Sequence, residues 1–292
     1  MPLELATVLK RVKKIEIETR RLVTELFAGE YHSVFKGLGV EFSEVREYQP
    51  GDDVRTIDWN VTARMRHPYI KKYREERQLN VVLVVDVSAS SQFGTFYSSK
   101  MELAAEVAAV LAFSAIRNND RVGLLTFSDK IEKFLPPKRS KSYGMRIIRE
   151  ILYWKTQGRG TDIHQALEYL IRVLTRRSII FIISDFIDLN FEKTLGVLSR
   201  KHDVVALQIR DEGEISLPKS NMIVMEDLET GETLSLNPRN IKWRELFDRN
   251  QKQHQEKILN IFRKYRTDHA LLVPGKSFTR PLSELFKKRE RR

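Results

Sequence analysis

The chain contains no cysteine. Disulfides, thiolate metal sites and cysteine nucleophiles are therefore excluded. No apolar run approaches the roughly 20 residues that a bilayer-spanning helix needs. The first residues, MPLELATVLKRVKKIEIETRR, are charged throughout and hold no continuous apolar stretch of the signal-peptide kind. Together these absences lead us to expect a cytoplasmic protein that does not engage a membrane. Several catalytic signatures are missing too. There is no G-x-x-x-x-G-K-[ST] loop to cradle nucleotide phosphates and no G-x-S-x-G nucleophile elbow. The histidines, among them His32, His67 and His164, show no paired ligand spacing. No helix-turn-helix, RNP-type or zinc-finger signature accompanies the basic residues, which disfavours nucleic acid as a partner.

What is present is a basic, foldable chain. Its 292 residues, 41% hydrophobic and 31% charged, suit one large domain or two and exclude a disordered chain. A net charge of +12 favours acidic partners in general. Basic residues are denser at Lys10–Lys14, Lys71–Arg77 and Lys287–Arg292, and the last run reads as a solvated or frayed tail.

The most informative stretch is 80–95, NVVLVVDVSASSQFGT. Val81 to Val85 run without alternation, as in a strand buried on both faces of a parallel sheet. The run ends at Asp86, and Ser88 and Ser90 follow at alternate positions. In open α/β sheets the carboxyl rim of the strands is where ligands bind. One carboxylate and two hydroxyls suit a hard cation such as Mg²⁺. The plainer alternative is a strand-to-loop turn whose serines cap the next helix.

Two later segments add to this set. GRGTDIHQA, 158–166, places Thr161 on a Gly-rich loop just before a helical pattern, and SIIFIISDF, 178–186, is a second apolar run ending in a carboxylate, Asp185. If the two strands are parallel and adjacent, these groups converge on one sheet edge. The order D-x-S-x-S, G-x-G-T-D, strand-S-D resembles the metal-ion-dependent adhesion site (MIDAS) of von Willebrand factor A domains. The resemblance implies that Ser88, Ser90 and Thr161 hold Mg²⁺ or Mn²⁺ through their hydroxyls. It implies also that Asp86 acts through the serines or through water, and Asp185 through water.

The remaining pattern predicts an amphipathic helix over 3–27, then short β-type runs flanking Pro50-Gly51. Residues 99–117 read as a helix, 121–127 as a strand, and 131–135 as its hairpin partner closed by Pro136-Pro137. Helices follow over 143–153 and from the Thr161 or Asp162 cap to Leu174. After the strand ending at Ser184, 191–200 is helical and 204–209 is a strand. A hairpin about Thr230-Gly231 at one edge of the sheet, a long helix over 241–265, a strand at 270–273 and a helix over 281–288 complete the chain. This alternation predicts a doubly wound, mostly parallel α/β sheet with helices on both faces. The expected divisions are an N-terminal helix (1–28), a β-rich extension (29–78) and a von Willebrand A-like domain (79–292).

The extension is dense in charge around Tyr48, Trp59 and Tyr69. Asp52, Asp53, Arg55, Asp58 and Trp59 are candidates for a partner-binding surface, and Asp52 with Asp53 for a catalytic acid pair. The competing reading, which we favour, is an ion-paired β-extension holding Trp59 against the sheet. From Gly39 to Trp59 the sequence runs G-x-E-F-x-E-x-R-x-Y-x-P-G-D-D-x-R-x-I-D-W, followed by Ala63-Arg64 and the D-x-S-x-S strand. This resembles domain-of-unknown-function family fifty-eight (DUF58), a von Willebrand A-like family, over roughly residues 30–285. The resemblance implies a non-enzymatic partner of a MoxR-type AAA+ ATPase in chaperone-like maturation of other proteins.

The expected mechanism is docking through an incomplete metal shell, which a partner's acidic side chain completes. Arg159, beside Thr161, is expected to add a second contact to that carboxylate, or else to lie across the mouth. The alternatives are a metal-dependent hydrolase using Asp52, Asp53 or Asp185, and nucleic-acid binding through the basic surface.

Overall fold

The computed structural model describes residues 40–65, 67–75, 78–92, 99–153, 160–215, 222–226, 233–236 and 240–291. The helix expected over 3–27, the Thr230-Gly231 turn and Arg159 lie outside the described residues. Contacts divide the chain into two compact units, with the boundary between Leu79 and Asn80.

In the first unit, β1 (Val40–Glu47) pairs antiparallel with β2 (Tyr69–Glu75). The Pro50-Gly51 signal forms a tight turn, in which Asp52 N–H donates to Gln49 O at 3.0 Å and Gly51 has φ 109°. That conformation favours glycine. No strand follows the turn directly. Instead come a 3₁₀ turn, Val54–Thr56, and a short helix, α1 (Trp59–Met65). Arg46 forks onto Asp52, Nη1 to Oδ2 at 2.9 Å and Nη2 to Oδ1 at 2.6 Å. The hydrogen bond from Arg46, with a second from Gln49 N–H, holds the Asp52 carboxyl below its usual range. Asp53 accepts from Arg55 N–H, and Asp58 Oδ1 accepts from Asn60 and Val61 N–H to cap α1. The ion-paired extension is thus observed, but Trp59 is 70% exposed and is not held against a sheet. Its position at the first turn of α1 points the indole into solvent.

The second unit runs β3 (Asn80–Asp86), α2 (Lys100–Arg117), β4 (Arg121–Phe127), β5 (Ile131–Lys138), α3 (Lys141–Tyr153) and α4 (Ile163–Val173). It continues through β6 (Ser178–Ser184), α5 (Glu192–Lys201), β7 (Asp203–Ile209), a short α6 (Glu212–Ile215), β8 (Ile223–Glu226) and β9 (Thr233–Leu236). It ends with α7 (Ile241–Lys264), β10 (Asp268–Leu272) and α8 (Thr279–Glu290). The sheet order is β10-β7-β6-β3-β4-β5, parallel except for β5. Val81 to Val85 are wholly buried, as an unalternated apolar run in a central strand must be. Val82, Val84, Ile180 and Ile182 pack on Leu167 of α4, Leu195 of α5 and Phe262 of α7. On α2, Ala109 packs with Ile148 of α3. The chain leaves β3 towards β4 on one side and returns as β6 on the other. That reversal places the topological switch point, where open α/β sheets bind ligands, at the carboxyl ends of β3 and β6.

Two expectations are corrected here. β5 does not close at Pro136 but continues through both prolines to Lys138. It is the edge strand, and its register with β4 shifts between Val122 and Leu124, where Pro136 and Pro137 fall, so the ladder asks no N–H of them. The 222–236 segment does not add to the main sheet. Among the described residues β8 and β9 pair only with each other, and β10 takes the edge beside β7.

His269, on β10, stacks on Phe262 with centroids 5.2 Å apart, and its Nε2 lies 3.1 Å from Gln208 Oε1. Burial, with the charge of Lys288, pushes this imidazole down to about 4. A depressed histidine must be neutral in the fold, so its contribution is fully present above pH 6.5 and is lost as pH falls towards 4. That shift corresponds to roughly 3 kcal/mol. Urea unfolding at pH 7 and pH 4.5 should show this loss in the wild type and a smaller one in His269→Gln.

Candidate metal centre

Asp86 is the last residue of β3, and Asp185 follows the last residue of its parallel neighbour β6. Both are buried. Asp86 Oδ1 accepts from Ser88 N–H at 3.0 Å, a turn that swings the chain off the strand. Its Oδ2 accepts from Ser184 Oγ at 2.7 Å. A 3₁₀ turn, Ala89–Gln92, carries Ser90, and Ser91 Oγ braces it by donating to Ser88 O at 2.6 Å. Ser88 Oγ and Ser90 Oγ lie 3.0 Å apart, and Ser90 Oγ donates to Asp185 Oδ2 at 3.0 Å. Ser90 Oγ thus gives its proton to Asp185, and the Ser88 hydroxyl faces both Ser90 Oγ and the Asp86 carboxylate. Asp162 caps α4 by accepting from Gln165 N–H, and its own N–H donates to Ser128 O at 2.8 Å. Thr161 is thereby tied to the carboxyl end of β4, next to β3.

The structure also brings in residues that sequence reasoning missed. Lys100, 2% exposed, donates from Nζ to Asp185 Oδ2 at 2.8 Å and to Glu214 Oε1 at 2.6 Å. Burial alone would push this ammonium down, but the two carboxylates more than offset it and the net shift is upward. Asp211 N–H holds the other Glu214 oxygen at 3.0 Å, and Gln208 Nε2 donates to Asp185 O at 3.2 Å. Burial pushes the Asp86 carboxyl up to about 7. The neighbouring Asp185 charge adds to that rise, and the Ser88 and Ser184 hydrogen bonds oppose it. A signal for Lys100 did exist. It stands one turn before Leu103 and Ala104 on the buried stripe of α2, at a helix N-terminus that disfavours a cation.

Among the described residues no three His, Cys, Asp or Glu side chains cluster to hold a metal. The donor set is instead built on hydroxyls. Mg²⁺ takes oxygens at about 2.0–2.1 Å in an octahedron, so neighbouring ligands stand about 3 Å apart. The Ser88–Ser90 spacing of 3.0 Å, a hydrogen bond here, equals the length of one octahedron edge, with a carboxylate on either side. The residues fit the ion. Of the other candidates, Asp52, Asp53, Arg55, Asp58 and Trp59 belong to the first unit, and the cluster is built by the second.

A family profile described as "Protein of unknown function DUF58" matches residues 44–257. The chain belongs to the DUF58 family. This DUF58 chain is 32% identical over 223 residues to an uncharacterized protein of Mycobacterium tuberculosis strain H37Rv, covering 75% of the chain and 70% of the relative. Among solved structures it is similar to the conserved hypothetical protein BatB of Bacteroides thetaiotaomicron. That match has a TM-score of 0.51 at 15% identity and covers 73% of this chain and 100% of BatB. At this identity the likeness bears on fold alone. The VWA domain of SpRpn10 also matches, with a TM-score of 0.39 at 16% identity over 72% of this chain and 95% of that one. The fold of this DUF58 chain is mixed α/β, a six-stranded, mostly parallel sheet flanked by helices. Among the described residues no helix is long and apolar enough to cross a membrane.

Proposed function

We propose that this DUF58 chain is a non-catalytic protein-binding module that works through Mg²⁺ or Mn²⁺. It serves as adaptor or partner of a MoxR-type AAA+ ATPase in protein maturation or complex assembly. The observation that carries the metal reading is the pair of hydroxyls 3.0 Å apart between two buried strand-end carboxylates. Ser88, Ser90 and Thr161 would hold the ion, with Asp86 and Asp185 behind them. When bound, the ion supplies a Lewis-acidic attachment point for a partner's Asp or Glu. The ATPase partnership rests on the family resemblance.

Hydrolysis is less well supported. Asp52 is held ionised by Arg46, Asp53 caps a turn, and Asp185 is engaged by Lys100, which leaves none of the three placed as a base. The basic surface would instead declare itself in a steep salt dependence of binding to generic DNA.

The test uses the immobilised chain and the purified MoxR-type ATPase of the same organism, with Mg²⁺, with chelator, and with Asp86→Ala in Mg²⁺. Retention only by the wild type with Mg²⁺ is expected. Equal retention in all three would overturn metal docking and move attention to the surface spanning 39–77.

A further inference from the structure

We propose that Lys100 is a resident cation of the centre, whose ammonium sets how tightly a divalent ion binds there. The inference rests on the metal-binding reading and concerns a residue outside the MIDAS-like motif. Local energetics do not explain a lysine at this position. It opens α2 directly after the Ser99 cap, where the helix dipole repels a cation, and its stem is buried on the apolar face. What holds it is tertiary. Nζ is clasped between Asp185 Oδ2 and Glu214 Oε1. Glu214 is fixed in turn by Asp211 N–H, and its carbonyl accepts from Arg210 Nη2 at 3.0 Å. Arg210 is itself braced by Gln251 and Gln255 of α7.

Asp185 Oδ2 serves two donors at once, Lys100 Nζ and Ser90 Oγ. These two bonds place the ammonium no more than about 6 Å from Ser90 Oγ, one corner of the octahedron edge. A fixed like charge at that range lowers affinity for a divalent ion on the order of tenfold even at a water-like dielectric. The second Asp185 oxygen accepts from Ile187 N–H at 3.3 Å. For Asp185 Oδ2 to turn to an ion or to its bound water, it must release Lys100 Nζ or Ser90 Oγ. Lys100 therefore keeps the carboxylate neutralised when metal is absent and competes for it when metal arrives.

Titrating Mg²⁺, and separately Mn²⁺, calorimetrically into the full chain tests this with wild type, Lys100→Met and Asp86→Ala. Lys100→Met is expected to bind about tenfold or more tightly, and its thermal midpoint in chelator to fall below the wild type. Mg²⁺ should recover more of that midpoint in the variant than it adds to the wild type. Should Lys100→Met not fold, Lys100→Met/Glu214→Gln removes the cation together with one of its partners and carries the same expectation. Unchanged or weaker binding in a folded variant overturns the proposal, as does no binding in either wild type or variant. Binding by Lys100→Met alone sustains it while overturning metal dependence of the wild type. Asp86→Ala binding as tightly as wild type would overturn the centre itself.

Discussion

Replacing Ser88 and Ser90 together by alanine is expected to weaken Mg²⁺ binding more than about 100-fold, since losing even a supporting group of a metal site costs 10–100-fold. The fold should barely register the change. Ser88 Oγ is fully buried and bonds Ser90 Oγ and the Asp86 carboxylate; when both hydroxyls leave, Asp86 keeps Ser88 N–H and Ser184 Oγ. Removing both partners of a buried hydrogen bond is nearly neutral, whereas removing one is not. Ser90 also releases Asp185, but that carboxylate keeps Lys100 Nζ and Ile187 N–H. Thermal unfolding in chelator should therefore stay within roughly 1 kcal/mol of wild type, while calorimetric titration loses its metal signal. Full metal affinity in the double variant would mean that the hydroxyls are only a turn and hold no ion.

Arg289→Met is expected to cost about 3–5 kcal/mol, the loss seen when one partner of a buried ion cluster is removed. The guanidinium, 11% exposed, bonds Asp268 Oδ2 at 2.8 Å through Nη1 and Asp203 Oδ2 through Nη2. Asp203 begins β7 and Asp268 begins β10, so one side chain of α8 clasps the amino ends of two neighbouring strands. Without it two mostly buried carboxylates face one another with this counter-charge gone. Arg289→Lys should recover only part of the loss, because an ammonium cannot present two N–H edges in one plane. Urea unfolding at pH 7 measures this directly. A loss below about 1 kcal/mol would place Arg289 with ordinary surface ion pairs.

That residue also shows where sequence reading stopped. The run KKRERR looks like a solvated tail because charge density is all a local window reports. Lys287 and Lys288 are indeed exposed, yet Arg289 directly after them is not. The aromatic Trp59 erred in the opposite direction. Its size predicts burial, but the first turn of α1 faces water. Pro136 and Pro137 read as a strand end because Pro lacks a ladder donor, a rule that loses force on an edge strand at a register shift.

The sequence by itself determined the parallel α/β core and the order of its motifs. Short, unalternated runs of β-branched Val and Ile favour strands buried on both faces, and carboxylates and hydroxyls directly after such strands lie at the carboxyl rim. Only the tertiary structure decided that β3 and β6 are neighbours, which brings Asp86, Ser88, Ser90 and Asp185 together. It alone supplied Lys100 and Glu214 to the centre, and Arg289 to the opposite end of the sheet. Lys100 meets its two partners 85 and 114 residues away in the chain. A propensity or periodicity is set by near neighbours, whereas an ion pair is set by whatever the fold places within about 3 Å.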